Sequence, residues 1–442
     1  MPRLSVHVLS SGERVPMLHD TEGLPLFYPT LFATAQLRNA GAAFNTIRNK
    51  LADIVVLLRW EHRQGRDLVA EFMRGQWLSV ADVASLRDFA KLDMRSPALG
   101  HNMASTADRT LTSLLEAQVA LRPAHPAIGN QQHYNRLSTI ADYVEFIAST
   151  LTQRQGSAQA ALEIERMVKT IRKHRPRGLT SRLGGSLDQR SPPSALVEQF
   201  MTIGSENDPR NPFRDPGVRL RNAIAFGLLR HTGMRRGELL SLRIDQFELG
   251  HEPRVWIRRN QDDARDSRRY QPVAKTKERL LPLPQPLAEQ IQRYIMQVRA
   301  KLTPARRHPY LIVSHRKDRT LGQPLSASAL NSQIFARMRS VDASFLGIHP
   351  HAFRHHFNYE LSVSIDKHNA KIGQESGECT GTPISEAREL DVRAFLNGHR
   401  DKASGAIYNR RHVREVSDKV IRELQTRLRE KDKPGGDPNE SS

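Results

Sequence analysis

The pattern that most restricts the fold of this 442-residue chain is a set of apolar residues at helical spacing through its first half. In NTIRNKLADIVVLLRWEH, Ile47, Leu51, Ile54 and Leu58 fall on one helical face. LSTIADYVEFIASTL repeats the pattern with Ile140, Tyr143, Val144 and Ile147. SAQAALEIERMVKTIRKH follows, with Ser157 as a candidate N-cap. No stretch of this half reads as an alternating strand. Residues 25–175 are therefore expected to form an all-helical domain, preceded by an irregular N-terminal arm at 1–24 with Ser-Ser-Gly and Glu-Gly turns.

The second half mixes its signals. RLRNAIAFGLLRHTG reads as a helix ending at Gly233, a left-handed C-terminal cap, and RRGELLSLR starts another. RVWIRR (254–259) and RYQPVAKTKERLLPLP (269–284) read as a strand followed by a hairpin turning near Lys275–Lys277. Helices are expected at 285–301, 326–340, 350–365, 384–397 and 412–430. The fold class is thus mainly α with a small antiparallel β-sheet: a helical domain, then a mixed α+β domain over 196–430. Glycines and SPPS mark a basic linker at 176–195, and 431–442 has the composition of a disordered tail.

Charge narrows the partner. Lys and Arg number 67 against 47 Asp and Glu, a net charge of +20, which favours a polyanion and above all nucleic acid. No apolar run approaches the ~20 residues that span a bilayer, no Lys/Arg-rich amphipathic membrane helix stands out, and no membrane partner is expected. The N-terminus lacks a secretory layout, and the single cysteine, Cys379, rules out an intrachain disulfide and zinc-finger spacing. A cytoplasmic, nucleoid-associated location is the expectation. Residues 166–190 hold eight Lys/Arg against one acid, so Arg172, Lys173, Arg175, Arg177 and Arg182 are expected to follow a phosphate backbone; a solvated hinge is the alternative.

Three separated segments carry candidate chemistry. RHTGMRRGELLSLR (230–243) surrounds a Thr-Gly turn with arginines. In HPHAFRHHF (349–357), Pro350 suits a first helical turn, and His351 and Arg354 project as neighbours beside the stripe of Phe353, Phe357 and Leu361. His351 and His355 also have metal-ligand spacing, but HExxH is absent and Arg354 would set a cation among the ligands, so no metal and no other cofactor is expected. FLNGHRDKASGAIYNRR (395–411) places His399 nine residues before Tyr408.

Taken in chain order, these pieces resemble the tyrosine recombinase, or phage integrase, family. The resemblance covers about 195–430, and the helical first half is similar to that family's core-binding (SAM-like), DNA-clamping domain in position and character. It implies catalytic roles for Arg235 (with Arg236 the neighbouring candidate), Lys275 (with Lys277 possible), His351, Arg354 and His399, and a nucleophilic Tyr408. It also implies double-stranded DNA recombination sites as substrate, four protomers joined through the 412–430 helix, and accessory DNA-bending proteins as possible partners. One departure stands out: the interval from Arg354 to His399 is longer than the family's, read here as an inserted loop at about 366–388.

The chemistry suits those roles. Guanidinium groups grip phosphodiester oxygens bidentately and oppose the charge that grows in the transition state. A phenol with a pKa of about 10 needs cations and a base, for which His351 is placed, and Lys275 could protonate the departing 5′ oxygen. A phosphotyrosyl link conserves bond energy, so neither ATP nor metal is required. The function expected is a site-specific recombinase, by the length of its first half one serving a mobile element. A type IB topoisomerase-like nicking-closing enzyme and a non-catalytic DNA-binding protein of the same fold are the alternatives.

Overall fold

A computed structural model of the chain describes residues 2–94, 127–153, 157–177, 192–374, 382–399, 421–423 and 425. These fall into two compact units, Met1–Leu9 with Arg14–Ser181, and Ser10–Glu13 with Arg182–Ser442. Tyr408, Arg182, Cys379, the tail and nearly all of 412–430 lie outside the described residues.

The first unit opens with a hairpin rather than an irregular arm. Strands β1 (Arg3–Val8) and β2 (Arg14–His19) pair antiparallel, in register from Arg3 opposite His19 to Val8 opposite Arg14. The reason is an alternation in the sequence itself: Leu4 and Val6 turn inward between Ser5 and His7, and Leu18 is fully buried. Helices follow: α1 (Phe27–Leu31, continued by a π-helical stretch Phe32–Arg38), α2 (Phe44–Gln64), α3 (Leu68–Met73), α4 (Val80–Ala90), α5 (Asn130–Thr152) and α6 (Ala158–Lys173). Ile47, Leu51 and Ile54 are buried as their spacing predicts, but Leu57 and Trp60 continue the stripe and Leu58 lies at its edge. Ile140, Tyr143, Val144 and Ile147 of α5 complete the same core. Ser157 does cap α6, its hydroxyl accepting from the Ala160 amide.

The second unit begins with α7 (Ser194–Ile203), α8 (Pro216–Thr232) and the short α9 (Arg236–Ser241). A three-stranded antiparallel sheet follows in the order β3 (Phe247–Glu248), β4 (Arg254–Ile257), β5 (Arg279–Pro282). Then come α10 (Gln285–Arg293), extended by a π-helical and a 3₁₀ turn to Lys301, and a helical run from Ala327 to Arg339. The last two elements are α11 (Pro350–Gln374) and α12 (Glu386–Asn397).

Two expectations are corrected here. The segment 269–284 is not a hairpin of its own; β5 pairs with β4, Ile257 opposite Arg279 and Arg254 opposite Pro282. What keeps 260–271 out of the sheet is a set of inward polar side chains. Arg268 is buried and donates to Leu240 O and Leu325 O at 2.9 Å and to both Asp266 oxygens at 2.8 and 2.7 Å. Gln271 accepts from the Asp262 amide at 3.0 Å. Satisfying buried polar groups this way needs irregular backbone. The second correction concerns 366–388: α11 runs on through 366–374 and α12 starts at 386, so only the middle of that stretch lies outside regular structure or outside the described residues.

The core of this unit sets how α11 is rotated. Phe200, Phe226, Phe335, Phe345 and Phe353 interlock, with ring centroids 5.1 Å apart for Phe200–Phe226 and 5.7 Å for Phe200–Phe353. Burying a phenylalanine of this kind contributes about 1.5–3 kcal/mol. With Phe353 held inward, Arg354 is swept under the surface while His351, on the preceding turn, faces out.

Candidate active site

The Thr-Gly turn has a structural cause. Asp215 caps α8 by accepting from the Val218 amide at 2.8 Å, Pro216 fills the first turn, and the helix stops at Gly233, φ 59°. The Thr232 hydroxyl donates back to Leu228 O at 2.6 Å and accepts from the Met234 amide at 3.3 Å. A β-carbon on Gly233 would sit 2.4 Å from Phe357 Cδ1, so both the backbone angle and the space demand glycine. The chain then turns into α9, where the Arg235 amide donates to Glu238 Oε2 at 2.8 Å. The Arg235 side chain is 34% exposed.

Arg354 reaches this turn from α11. Fully buried, it donates from Nη1 to Gly233 O at 2.9 Å, and from Nη2 to Asn397 O and to His399 Nε2, each at 2.9 Å. A guanidinium has no acceptor, so His399 Nε2 accepts and the ring proton belongs on Nδ1. Burial, followed by the positive charges of Arg354, Arg235 and Arg279, pushes the His399 imidazole down to about 4. It is neutral at pH 7. Beneath lies a polar lattice of Asn358, Asn397, Arg393 and Ser362: Asn397 Nδ2 donates to Asn358 Oδ1 at 2.7 Å, and Arg393 donates to Asn358 O at 3.0 Å and Ser362 Oγ at 2.7 Å. It ties α12 to α11, so His399 is presented by a fixed helix end.

The shift of His399 has a stability consequence. In the unfolded chain its imidazole protonates near its ordinary value of about 6.5. In the fold it protonates only near 4. The contribution of neutral His399 is therefore whole above 6.5 and is lost progressively as pH falls towards 4. The wild type's melting temperature should drop more steeply across that window than that of His399→Gln; parallel curves by calorimetry would refute this.

Glu238 joins the remaining pieces. Only 1% exposed, it pairs with Arg279 Nη2 at 3.0 Å and accepts the Thr276 hydroxyl besides the Arg235 amide. Burial by itself would raise its carboxyl, but the charge of Arg279 and these hydrogen bonds hold it below the usual range. Arg279 Nε also donates to Leu396 O at 2.8 Å, and the Lys277 amide donates to Gly398 O at 3.0 Å. Lys275 and Lys277, both exposed, are thereby set beside the His399 segment.

Five of the six expected catalytic residues can be placed. Arg235, Arg354 and His399 share one hydrogen-bonded neighbourhood, Lys275 flanks it, and His351 faces out one turn before Arg354, its ring 4.6 Å from that of His355 in an edge-on arrangement. Tyr408 is outside the described residues. Of the expected backbone contacts, Lys173 and Arg177 are exposed. Arg172 instead pairs with Glu145 at 2.8 Å and Asp142 at 3.2 Å, and Arg175 lies over the Tyr134 ring at 4.7 Å and donates to Ser138. Glu238, Thr276, Arg279, Asn358, Arg393 and Asn397 were not singled out from the sequence. Two signals were available: Glu238 at the third helical position after Arg235, and Arg279 at an inward strand position beside Leu281, where a buried cation requires a carboxylate.

Residues 211–366 match the family model described as "Phage integrase family". The matched range contains Arg235, Lys275, His351 and Arg354, and ends before His399. No curated protein matches the chain. Among solved structures, the XerA recombinase is similar at 13% identity and a TM-score of 0.32, covering 91% of this chain and 98% of that one. The XerH site-specific recombinase in a post-cleavage complex with palindromic difH is similar at 12% identity and a TM-score of 0.39, covering 77% of this chain and 84% of that one. Its pre-cleavage complex gives 15% and 0.35, with coverages of 75% and 80%.

Proposed function

We propose that this chain, a tyrosine site-specific recombinase over the segment that matches the phage integrase family, breaks and rejoins DNA through a 3′-phosphotyrosyl intermediate at Tyr408. The observation that carries the reading is the junction of Arg354 with Gly233 O and His399 Nε2, which brings three distant sequence segments to one spot. The Tyr408 oxygen attacks the scissile phosphorus and the bond to the 5′ oxygen breaks. His351 takes the phenolic proton, and Lys275 delivers one to the departing 5′ oxygen. Arg235, whose side chain reaches solvent, grips the non-bridging oxygens, while Arg354 supplies positive charge from the floor of the site. A 5′-hydroxyl from a partner duplex then reverses the steps, with no net loss of bond energy.

The same reading extends to partners: two duplex recombination sites, four protomers joined through 412–430, accessory DNA-bending proteins, and service to a mobile element in the nucleoid. The helical unit would act as the core-binding clamp, with Lys173 and Arg177 at its exposed basic end.

Covalent capture tests the chemistry. A pool of duplexes with a randomised centre, each nicked so that cleavage cannot reverse, is incubated with protein in EDTA. The wild type should enrich a sequence as a covalent adduct, with the phosphate mapped to Tyr408, and Tyr408→Phe, which lacks the phenolic oxygen, should yield none. An adduct at Tyr359 or Tyr270 would reject the nucleophile but keep the class. Relaxation of any supercoiled plasmid without sequence enrichment would point to a nicking-closing enzyme instead.

A further inference from the structure

Arg279 opens β5 with its side chain turned inward and 2% exposed. It belongs to none of the three segments that converge on the site, yet it bonds to two of them and to the loop bearing Lys275. Towards α9 it forks onto Glu238, Nη2 to Oε2 at 3.0 Å and Nη1 to Oε1 at 3.3 Å, and Glu238 in turn holds the Arg235 amide. Towards the loop bearing Lys275 it donates from Nη1 to Thr276 Oγ1 at 2.9 Å and to Lys277 O at 3.4 Å. Towards the end of α12 its Nε donates to Leu396 O at 2.8 Å.

The fit around Arg279 is tight. Gly398 adopts φ 63°, and a β-carbon there would lie 2.7 Å from Arg279 Nη1 and 2.8 Å from Thr276 Cβ. The glycine before His399 therefore lets the chain close over the guanidinium. A lysine has one nitrogen where arginine has three in a rigid plane, so it cannot reach Glu238, Thr276 and Leu396 O together.

We propose that Arg279 is a positioning residue for strand cleavage: it fixes the turn carrying Arg235, the loop carrying Lys275 and the helix end carrying His399 in one frame. It touches no DNA and acts through Glu238, Thr276 and the Leu396–Gly398 backbone. The inference rests on the recombinase reading for its catalytic meaning, while the frame itself can be measured without DNA. A misplacement of about 1 Å among reacting groups costs on the order of 100-fold in rate.

Two variants separate placement from charge. Arg279→Lys keeps the cation, and the paired Glu238→Gln/Arg279→Met removes both buried charges together, so neither is left uncompensated. Thr276→Val, which deletes one strut, serves if either fails to fold. The first measurement is the NMR titration of the His399 ring in the full chain. Loosening the frame should admit water and move its midpoint from about 4 up by at least ~1 unit. The second uses the duplexes captured covalently by wild type: single-turnover cleavage should fall about 100-fold in Arg279→Lys, and about 10-fold in Thr276→Val, with DNA affinity within ~3-fold.

Wild-type cleavage by Arg279→Lys, or an equal fall in affinity and cleavage, overturns the proposal, since a general structural role weakens both. An unmoved His399 midpoint overturns it as well. Should wild-type protein capture no duplex at all, the recombinase reading fails separately, and the frame stands or falls on the titration.

Discussion

Arg354→Ala should reduce covalent capture of cleavable DNA by about 10³-fold, among the largest losses expected from any side chain within the described residues. On the proposed mechanism the electrostatic part is the loss of a cation fixed where phosphate charge grows, a type of contribution of about 10²–10³ for single donors in other sites. The structural part adds to it. Without the guanidinium, the buried carbonyls of Gly233 and Asn397 lose a donor, and His399 Nε2 loses its partner. Each buried group left unsatisfied costs about 1–3 kcal/mol. Arg354→Lys separates the two parts: it keeps a charge, but its single nitrogen cannot span the acceptors that two guanidinium nitrogens reach, so it should regain part of the stability and little of the rate. Single-turnover capture and calorimetry on both variants decide the matter. An alanine variant retaining a tenth of the wild-type rate would remove Arg354 from the site.

The second large effect is read in stability. Gly233→Ala forces a side chain into a left-handed backbone, φ 59°, and drives its β-carbon to within 2.4 Å of the Phe357 ring. Left-handed strain and overpacking together should cost about 3 kcal/mol. For a unit of this size that is a fall of roughly 6–12 °C in melting temperature. Phe357→Leu in the same chain relieves the clash but not the backbone strain and should recover about half. Gly250→Ala is the control, since nothing lies within 4 Å of a β-carbon there. Equal melting temperatures for Gly233→Ala and Gly250→Ala would mean that the turn does not hold the geometry described.

How much of this was legible beforehand varied with the physics of each segment. Apolar spacing exposed the helices of both units, because one buried face leaves a regular mark; Ile47, Leu51, Ile54, Ile140 and Val144 are where that mark puts them. The hairpin at Arg3–His19 carries a weaker mark, Leu4 and Val6 on one strand and Leu18 on the other, because its strands are short and flanked by turn residues. The motif residues were legible by chain order and not by any local property. The buried partners were not, since a pairing such as Glu238 with Arg279 joins residues forty-one apart and appears only when α9 meets β5. For the same reason the segment 269–284 reads as a hairpin of its own. Arg268 and Gln271 are polar by composition and inward by placement: Arg268 serves the carbonyls of Leu240 and Leu325 and the Asp266 carboxylate, and Gln271 serves the Asp262 amide.

If the chain cleaves DNA as proposed, the three hydrogen bonds that anchor Arg354 bear on the energetics of binding it. An arginine free in solvent gives up about 2 kcal/mol of rotamer freedom when a ligand immobilises it. For Arg354 that loss has already been incurred during folding, since its terminal nitrogens are held by two main-chain oxygens and an imidazole. On the proposed recombinase reading, a duplex arriving above this floor would feel a cation whose orientation it need not arrange, and more of the contact energy would remain for bending or opening the DNA itself.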